Sequence, residues 1–476
     1  MTLTAPMQRP AAPPVSSSLS PRERLEALCD PGSFRALRSG VTSERSGPRA
    51  APGDGVLTGA GSVGGRPVFC YSEDASFMGG SLGEAHADSI VRVMKLAGRA
   101  GAPVVGFVES GGARLQEGHA ALAGYGRIFR ESVELSSRAP QITVVTGLSA
   151  GGGAYSPALT DFVVMTERAR MFLTGPKIVR AALGESVSTE DLGGPDVHER
   201  NGVCDLVAAD DRDGARRARE LLSMLPGAVG ELPPRALGPE EPAGDPSAPV
   251  PAEARRVYDV REVIEALVDH GEALELRSGW ARNMVTALAR IDGRTVGVLA
   301  NQPWRLGGVI DQAAAEKAAL FVNDCDRFSI PLVVLVDTPG FMPGRRQEEA
   351  GVIRRGASLL HAFAAASVPR LTVVLRKAYG GAVITMNSKD LGADMVFAWP
   401  HAEIGIMAAG QAVDFVHRRQ LADSNGSGLR AELTDAYADE HLTADAAAAS
   451  GFVDEVIEPP ETRARLAWAL AAMEAR

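Results

Sequence analysis

The sequence predicts an α/β protein whose two halves are copies of one pattern of short strands, glycine turns and helices. The first observation is a repeat. Gly65-Arg66-Pro67-Val68 matches Gly293-Arg294-Thr295-Val296, and Gly79-Gly80 and Gly307-Gly308 follow at equal distances. Pro103 and Pro331 then open the apolar runs Val104–Glu109 and Leu332–Asp337, each ending in an acid, with glycine turns at Gly112 and Gly340 and a constant offset of 228. Further on, Gly152-Gly153 matches Gly381-Ala382 at an offset of 229, Asp161 matches Asp394, and Gly202–Asp205 matches Gly451–Asp454. Spacing kept through most of two halves marks a duplicated domain.

The second observation is alternation. Ile142–Val145 and Leu371–Leu375 are buried-strand candidates, each soon followed by glycines. Ser81 and Glu84 read as a capping box opening a helix that ends near Gly101. Strand, turn and helix in alternation define the α/β class. The third is a seam: residues 226–251 hold eight prolines and little apolar matter, which reads as a linker or a loosely packed loop.

The elements follow in order. Residues 1–19 are rich in Pro, Ala and Ser and are expected to be a disordered tail. Ser20-Pro21-Arg22-Glu23 forms a capping box, and the helix it opens should stop near Asp30-Pro31-Gly32. The expected divisions are a first domain over 20–225, a linker over 226–256 and a second domain over 257–476.

A chain of 476 residues exceeds one ordinary core. Its 45% hydrophobic and 23% charged residues are globular proportions, and no apolar run is long enough for a membrane span. The N-terminus has no basic start followed by an apolar core, so no secretory signal is read there. A net charge of −10 argues against a general nucleic-acid binder. Cys29, Cys70, Cys204 and Cys325 are too scattered for a zinc ribbon and fit reduced thiols in a cytoplasmic protein. The eight histidines form no ligand motif, so no metal is expected.

Two glycine clusters are the main candidates for chemistry: Gly147–Ser156, containing Gly151, Gly152 and Gly153, and Arg376–Val383, containing Tyr379, Gly380, Gly381 and Ala382. Each follows an apolar strand and opens a helix, where backbone N–H groups lack helical acceptors and can hold an oxyanion. The alternative is close helix packing through small residues. Equivalent clusters in both halves favour a two-substrate enzyme with two oxyanion sites. Gly147-Leu148-Ser149-Ala150-Gly151 also matches the nucleophile elbow of a serine hydrolase. Its serine aligns with Ala378 in the other half, and no partner histidine stands out. In Gly111-Gly112-Ala113-Arg114, the arginine is either a contact for phosphate or carboxylate or an internal ion pair that ties the loop. Arg354, Arg355, Arg376 and Lys377 are either a second basic patch or solvated surface.

Longer motifs carry a resemblance. Ser110–Gly118, Tyr155–Phe162 and Phe172–Pro176 resemble the amino-terminal half of propionyl-CoA and acetyl-CoA carboxylase β subunits. Asn301–Pro303, Asp337–Phe341, Arg376–Ala382 and Ala398–Glu403 resemble the carboxyl-terminal half. The likeness runs from about Ser20 to the C-terminus. It implies a crotonase-like superhelical fold in each half, a homo-hexamer, and active sites where the first half of one subunit meets the second half of another.

The implied activity moves a carboxyl group from carboxybiotin, carried by a partner, to the α-carbon of a short-chain acyl-CoA through enolate intermediates. Gly152 and Gly153, with Gly151 adjacent, are then assigned to the thioester oxygen, and Gly381 and Ala382 to the ureido oxygen. Gly111, Gly112, Ala113, Arg114 and Tyr155 fall on the acyl-CoA side, Tyr379 and Gly380 on the biotin side. Ile384 borders the acyl pocket in this resemblance; otherwise it is a core isoleucine.

The sequence departs from the family at four places: the initial helical hairpin appears truncated, Glu109 replaces an Asp, Arg355 a His, and Ala408–Gln411 a Gly-Ala-Lys-Gly stretch. It also lacks a biotinylation motif and an ATP-binding module, so a separate biotin carboxylase and carrier, often one α subunit, is implied. A biotin-dependent decarboxylase using the same enolate and an inactive scaffold are the remaining alternatives.

Overall fold

The computed structural model describes residues 18–236, 244–253, 256–423 and 427–473. Among them the chain forms two eight-stranded sheets. The first comprises β1 (Arg35–Leu37), β2 (Val56–Val63), β3 (Arg66–Glu73), β4 (Val104–Ser110), β5 (Gln141–Ala150), β6 (Phe162–Thr166), β7 (Arg170–Phe172) and β8 (Leu206–Ala208). The second comprises β9 (Ala273–Glu275), β10 (Met284–Ile291), β11 (Arg294–Asn301), β12 (Leu332–Thr338), β13 (Arg370–Tyr379), β14 (Met395–Ala398), β15 (Glu403–Gly405) and β16 (Glu455–Val456). The first runs β1-β2-β3-β4-β5-β6-β8 with β7 beside the end of β5; the second runs β9-β10-β11-β12-β13-β14-β16 with β15 beside the end of β13. In each, the first three strands are antiparallel and the rest parallel.

The repeat in the sequence is thus a repeat of register. Phe69 faces Val104 and Gly297 faces Leu332; Val104 then faces Gln141 and Leu332 faces Arg370. The repeated Gly-Arg lies at a hairpin. Gly64-Gly65 and Asp292-Gly293 all have positive φ, as a two-residue hairpin matched to strand twist requires. The repeated aspartates open strands. Asp161 donates its N–H to the Gln141 carbonyl and receives the Gln141 N–H on its carboxylate, and Asp394 does the same with Arg370. Asp205 with Val163 and Asp454 with Val396 repeat this one strand further out.

Helix α1 (Pro21–Leu28) starts in the predicted capping box of Ser20 and Glu23. Ser18 and Leu19 are already tied to Arg24 and Asp211, so the described chain is anchored two residues before the expected start; residues 1–17 of the expected tail lie outside the described residues. Helix α2 (Glu84–Ala100) ends at Gly101 as expected, but the Ser81–Glu84 capping box does not form. The N-cap is Gly83; the Ser81 hydroxyl donates to the Met78 carbonyl, and the Glu117 carboxylate receives the Glu84 N–H at 2.7 Å. A carboxylate from another loop satisfies the helix end instead of a local hydroxyl.

That loop is held by Arg114, which is 0% exposed. Its guanidinium reaches Asp54 at 2.7 Å and Glu117 at 2.8 Å, and donates to the Ser46 hydroxyl and the Asp54 and Ser81 carbonyls. Of the two readings of Arg114, these contacts favour the internal tie, because the buried guanidinium pairs with two carboxylates of its own half.

The halves share one core. A single cluster of buried side chains runs from Leu25 and Phe107 to Phe321 and Val453, and the Phe162 ring stacks on Phe328 at 6.1 Å. Beside it, Asp205 pairs with Arg277 at 2.8 Å and Asp161 with Arg327 at 3.0 Å, while Asp324 accepts from both arginines. Burial pushes Asp161 up to about 7 and Asp205 up to about 6 against the pull of these arginines.

Arg114→Met should lower stability by about 3–5 kcal/mol, because it leaves two buried carboxylates uncompensated. Thermal unfolding checks this; a variant of unchanged melting temperature but weakened acyl-CoA binding would contradict the internal role.

Candidate functional site

Both candidate turns form at the end of a buried parallel strand. β5 runs to Ala150, Gly151 turns the chain with φ +58, and α4 (Gly152–Ala158) begins. β13 runs to Tyr379, Gly380 turns with φ +65, and a further helix (Gly381–Thr385) begins. These positive φ values are the reason for glycine at both corners. Each corner is pinned by the short parallel strand beside it: the Gly151 N–H donates to Phe172 at 3.1 Å and the Gly380 N–H to Gly405 at 2.9 Å. The next bond in each helix starts from Ala154 and from Val383. The N–H groups of Gly152 and Gly153, and of Gly381 and Ala382, therefore have no backbone acceptor among the described residues. Each turn presents two adjacent donors fixed by a strand and a helix, the geometry of an oxyanion hole.

The surroundings differ. Gly381 is exposed, and no atom lies within 4 Å of where its Cβ would stand. Two largely apolar cavities meet there. One of about 660 Å³ is lined by Gly380, Gly381, Ile384, Ile406, His441 and Phe452 among others. The other, about 590 Å³, is lined by Phe341, Ile353, Leu360, Gly381 and Ile384 among others. Ile384 stands between them at 48% exposure, so it is not the core isoleucine of the alternative reading. Every residue lining either cavity comes from the second half. The Tyr379 side chain is buried, and its hydroxyl donates to the Glu403 carboxylate; burial and that carboxylate push the phenol upwards.

On the first half, the loop after β4 is stitched to residues 79–82. The Gly111 N–H donates to Gly79, the Gly112 N–H to the Ser110 hydroxyl, and Ala113 lies opposite Leu82. Gly111 and Gly112 thus spend their own donors within the loop. Tyr155 projects from α4 at 52% exposure, its ring edge against Phe129. The Ser149 side chain is fully buried and donates to the Gly153 carbonyl at 2.8 Å, so it is no exposed nucleophile.

The four basic residues do not form a patch. Arg355 pairs with Glu316 at 3.3 Å on the surface, whereas Arg376 is buried against Asp337 at 3.1 Å and donates to the carbonyls of Glu253 and Arg256. Lys377 lies 3.7 Å from the same aspartate. Desolvation raises the Asp337 carboxyl in spite of both cations. The motif reading missed Tyr125, Ile406 and His441, which stand beside the turns from distant segments; only the helical spacing of α3 (His119–Ser136) hints that Tyr125 faces inward.

Comparisons with known proteins place nearly the whole chain in one family. The family model described as the carboxyl transferase domain matches residues 16–476. The 12S subunit of methylmalonyl-CoA carboxyltransferase from Propionibacterium freudenreichii is 46% identical over 460 residues, covering 94% of this chain and 87% of that protein. The propionyl-CoA carboxylase beta chain of Saccharopolyspora erythraea is 46% identical over 476 residues, covering 94% and 86%. A crystal structure of a transcarboxylase 12S hexamer with methylmalonyl-coenzyme A and methylmalonic acid bound aligns with a TM-score of 0.93 at 43% identity, covering 96% of this chain and 90% of that one. With one family model spanning both sheets and both donor turns, this chain belongs to the carboxyl transferase domain family.

Proposed function

We propose that this chain is the carboxyltransferase subunit of a biotin-dependent acyl-CoA carboxylase, moving a carboxyl group to the α-carbon of acetyl- or propionyl-CoA. The observation that carries this is the pair of equivalent turns, each with two adjacent N–H groups free of internal acceptors. Two reacting carbonyls need two such sites. The Gly152 and Gly153 donors suit the thioester oxygen, which gains charge as the α-C–H bond breaks. The Gly381 and Ala382 donors suit the ureido oxygen of biotin. The second turn fits that neutral group, since two donors open onto apolar walls with nothing above Gly381. Carboxybiotin, when bound, would supply the carboxyl group: its bond from ureido nitrogen to carboxyl carbon would break as the α-carbon bonds to that carbon, and the displaced α-proton would take the carboxyl's place on the nitrogen. Fixed backbone dipoles do this work without reorganising as charge develops.

The same reading takes each half as a crotonase-like unit, with domains over 20–225 and 257–476 and a seam between, and the shared strand order supports it. The described part of that seam is not loose, since its carbonyls accept from Arg376 and the Ala236 N–H donates to Gly293. A composite site in a homo-hexamer follows, supported by cavities at the second turn that no residue of the first half lines. A partner carrying biotin carboxylase and biotin carrier functions is required. Four buried free thiols fit a reducing, cytoplasmic setting. Free donors kept in both halves favour catalysis over a scaffold role.

The central test supplies a biotin carboxylase and carrier with bicarbonate and ATP and measures acyl-CoA carboxylation; no carboxylation of any short acyl-CoA would refute the reading. Gly381→Val should lower kcat by ~10²–10³-fold, like removal of an oxyanion donor. The space around Gly381 means the loss arises from blocked approach, with the fold intact by circular dichroism. Ser149→Ala should keep most activity, because it removes one internal hydrogen bond worth about 1 kcal/mol. Light scattering should find the active species to be an oligomer, and an active monomer would contradict the composite site. Ile384→Asp should change the ratios of kcat/KM among acetyl-, propionyl- and butyryl-CoA by about 1–3 kcal/mol per methylene; unchanged ratios in an active variant would remove Ile384 from substrate choice.

A further inference from the structure

The two turns share a backbone but not a support. An added Cβ at Gly152 would meet three atoms of the Tyr125 ring at 2.8–2.9 Å, whereas one at Gly381 would meet nothing within 4 Å. Tyr125 lies on α3 (His119–Ser136), is buried, and brings its hydroxyl to 3.2 Å from the Ser110 hydroxyl. Ser110 also donates to the Gly80 carbonyl and accepts the Gly112 N–H. A Cβ at Gly153 would fall 3.2 Å from the Ser110 side chain and 3.4 Å from the Tyr125 hydroxyl. One turn along α3, Phe129 stacks near Tyr125 at 5.8 Å and meets the edge of Tyr155 on α4 at 6.2 Å. The helix carrying the first pair of donors is therefore gripped at its first residue and at its middle by two aromatic residues of α3.

From this we infer that Tyr125 is a positioning residue for the first oxyanion turn: its ring forms the floor under Gly152, and its hydroxyl locks that floor to Ser110. The inference rests on the proposed role of that turn. Tyr125 touches no reacting atom. It acts by removing the freedom of the Gly152 and Gly153 peptides to tilt, which matters because donors misplaced by a fraction of an ångström lose the developing charge. Burial pushes the Tyr125 phenol well above its ordinary range, so it stays neutral and keeps its proton for this bond. The second turn has no such floor. Among the described residues no side chain stands under Gly381 in this way, and its exposed face is left for what docks there.

The test is steady-state carboxylation by the complete enzyme with its biotin-supplying partner. Tyr125→Phe keeps the ring and removes only the hydroxyl. Its kcat should fall about tenfold with KM for acyl-CoA unchanged, less than the ~10²–10³-fold lost with a whole donor, because an interaction made only in the transition state is weakened. Ser110→Ala, reaching the same bond from the other side, should lower kcat alike, and the double variant should be no worse than the poorer single. Unchanged kcat in folded Tyr125→Phe, or a rise in KM alone, overturns the inference, as does full additivity in the double variant. Should Tyr125→Phe fail to fold, Ser110→Ala and its pairing with Phe129→Leu decide by the same criteria. Gly152→Val separates this from the parent reading: if it stays fully active, the oxyanion assignment falls, whereas its inactivity beside an unimpaired Tyr125→Phe removes only the brace.

Discussion

The first N–H groups of a helix have no acceptor within it, and a strand that turns at once into a helix must leave them facing outward. The proposed site depends on that constraint being met twice, at Gly151 and at Gly380. A glycine with positive φ lets a largely buried strand end and a helix begin within one peptide. The short strands β7 and β15 each receive the corner N–H, which fixes its tilt. The remaining donors are then held by rigid elements on both sides, the condition under which backbone dipoles stabilise developing charge without reorganising.

Around these turns the halves use similar devices with different parts. Each of the two central strands preceding a turn-bearing strand ends in an acid, and each acid holds a buried arginine that fastens the segment leading into that half. Glu109 holds Arg24 at 2.7 Å, and Arg24 also reaches Asp211 and the Ser18 hydroxyl. Asp337 holds Arg376 at 3.1 Å, and Arg376 reaches the carbonyls of Pro251, Glu253 and Arg256 and packs on the Tyr258 ring at 5.1 Å. A buried pair of this kind adds little net stability but costs several kcal/mol when one partner is removed, so it fixes where the leading segment docks.

The difference between Gly153 and Ala382 has the same kind of origin. In the first half a methyl group at Gly153 would press tightly on Ser110, Ser149 and the Tyr125 hydroxyl; in the second the Ala382 methyl is itself part of the packed core. The donors are equivalent, yet one turn is backed by aromatic rings and the other opens on apolar cavities. A buried, rigid floor suits an atom that must be held as charge develops. An open, apolar rim suits a group delivered and withdrawn by another protein.

The sequence by itself determined the repeat, the class, the strand and turn positions and the four donor peptides. These depend on local rules: glycine where φ is positive, proline before a strand, aspartate where a strand opens, paired turn residues at hairpins. It also carried the family motifs. Only the tertiary structure decided what side chains do across distance. Arg114 had two chemically equal roles on paper, and the burial of Asp54 and Glu117 beside it chose the internal one. The Ser81 cap was locally sound but lost to a carboxylate from a loop 33 residues away. Arg354, Arg355, Arg376 and Lys377 read equally as a basic patch or as solvated surface, yet Arg376 turns inward to a buried acid while Arg355 meets a surface glutamate. Tyr125 carried no motif, because a floor is defined by what stands on it, and Gly152 reaches that floor only once β5 and α3 have packed.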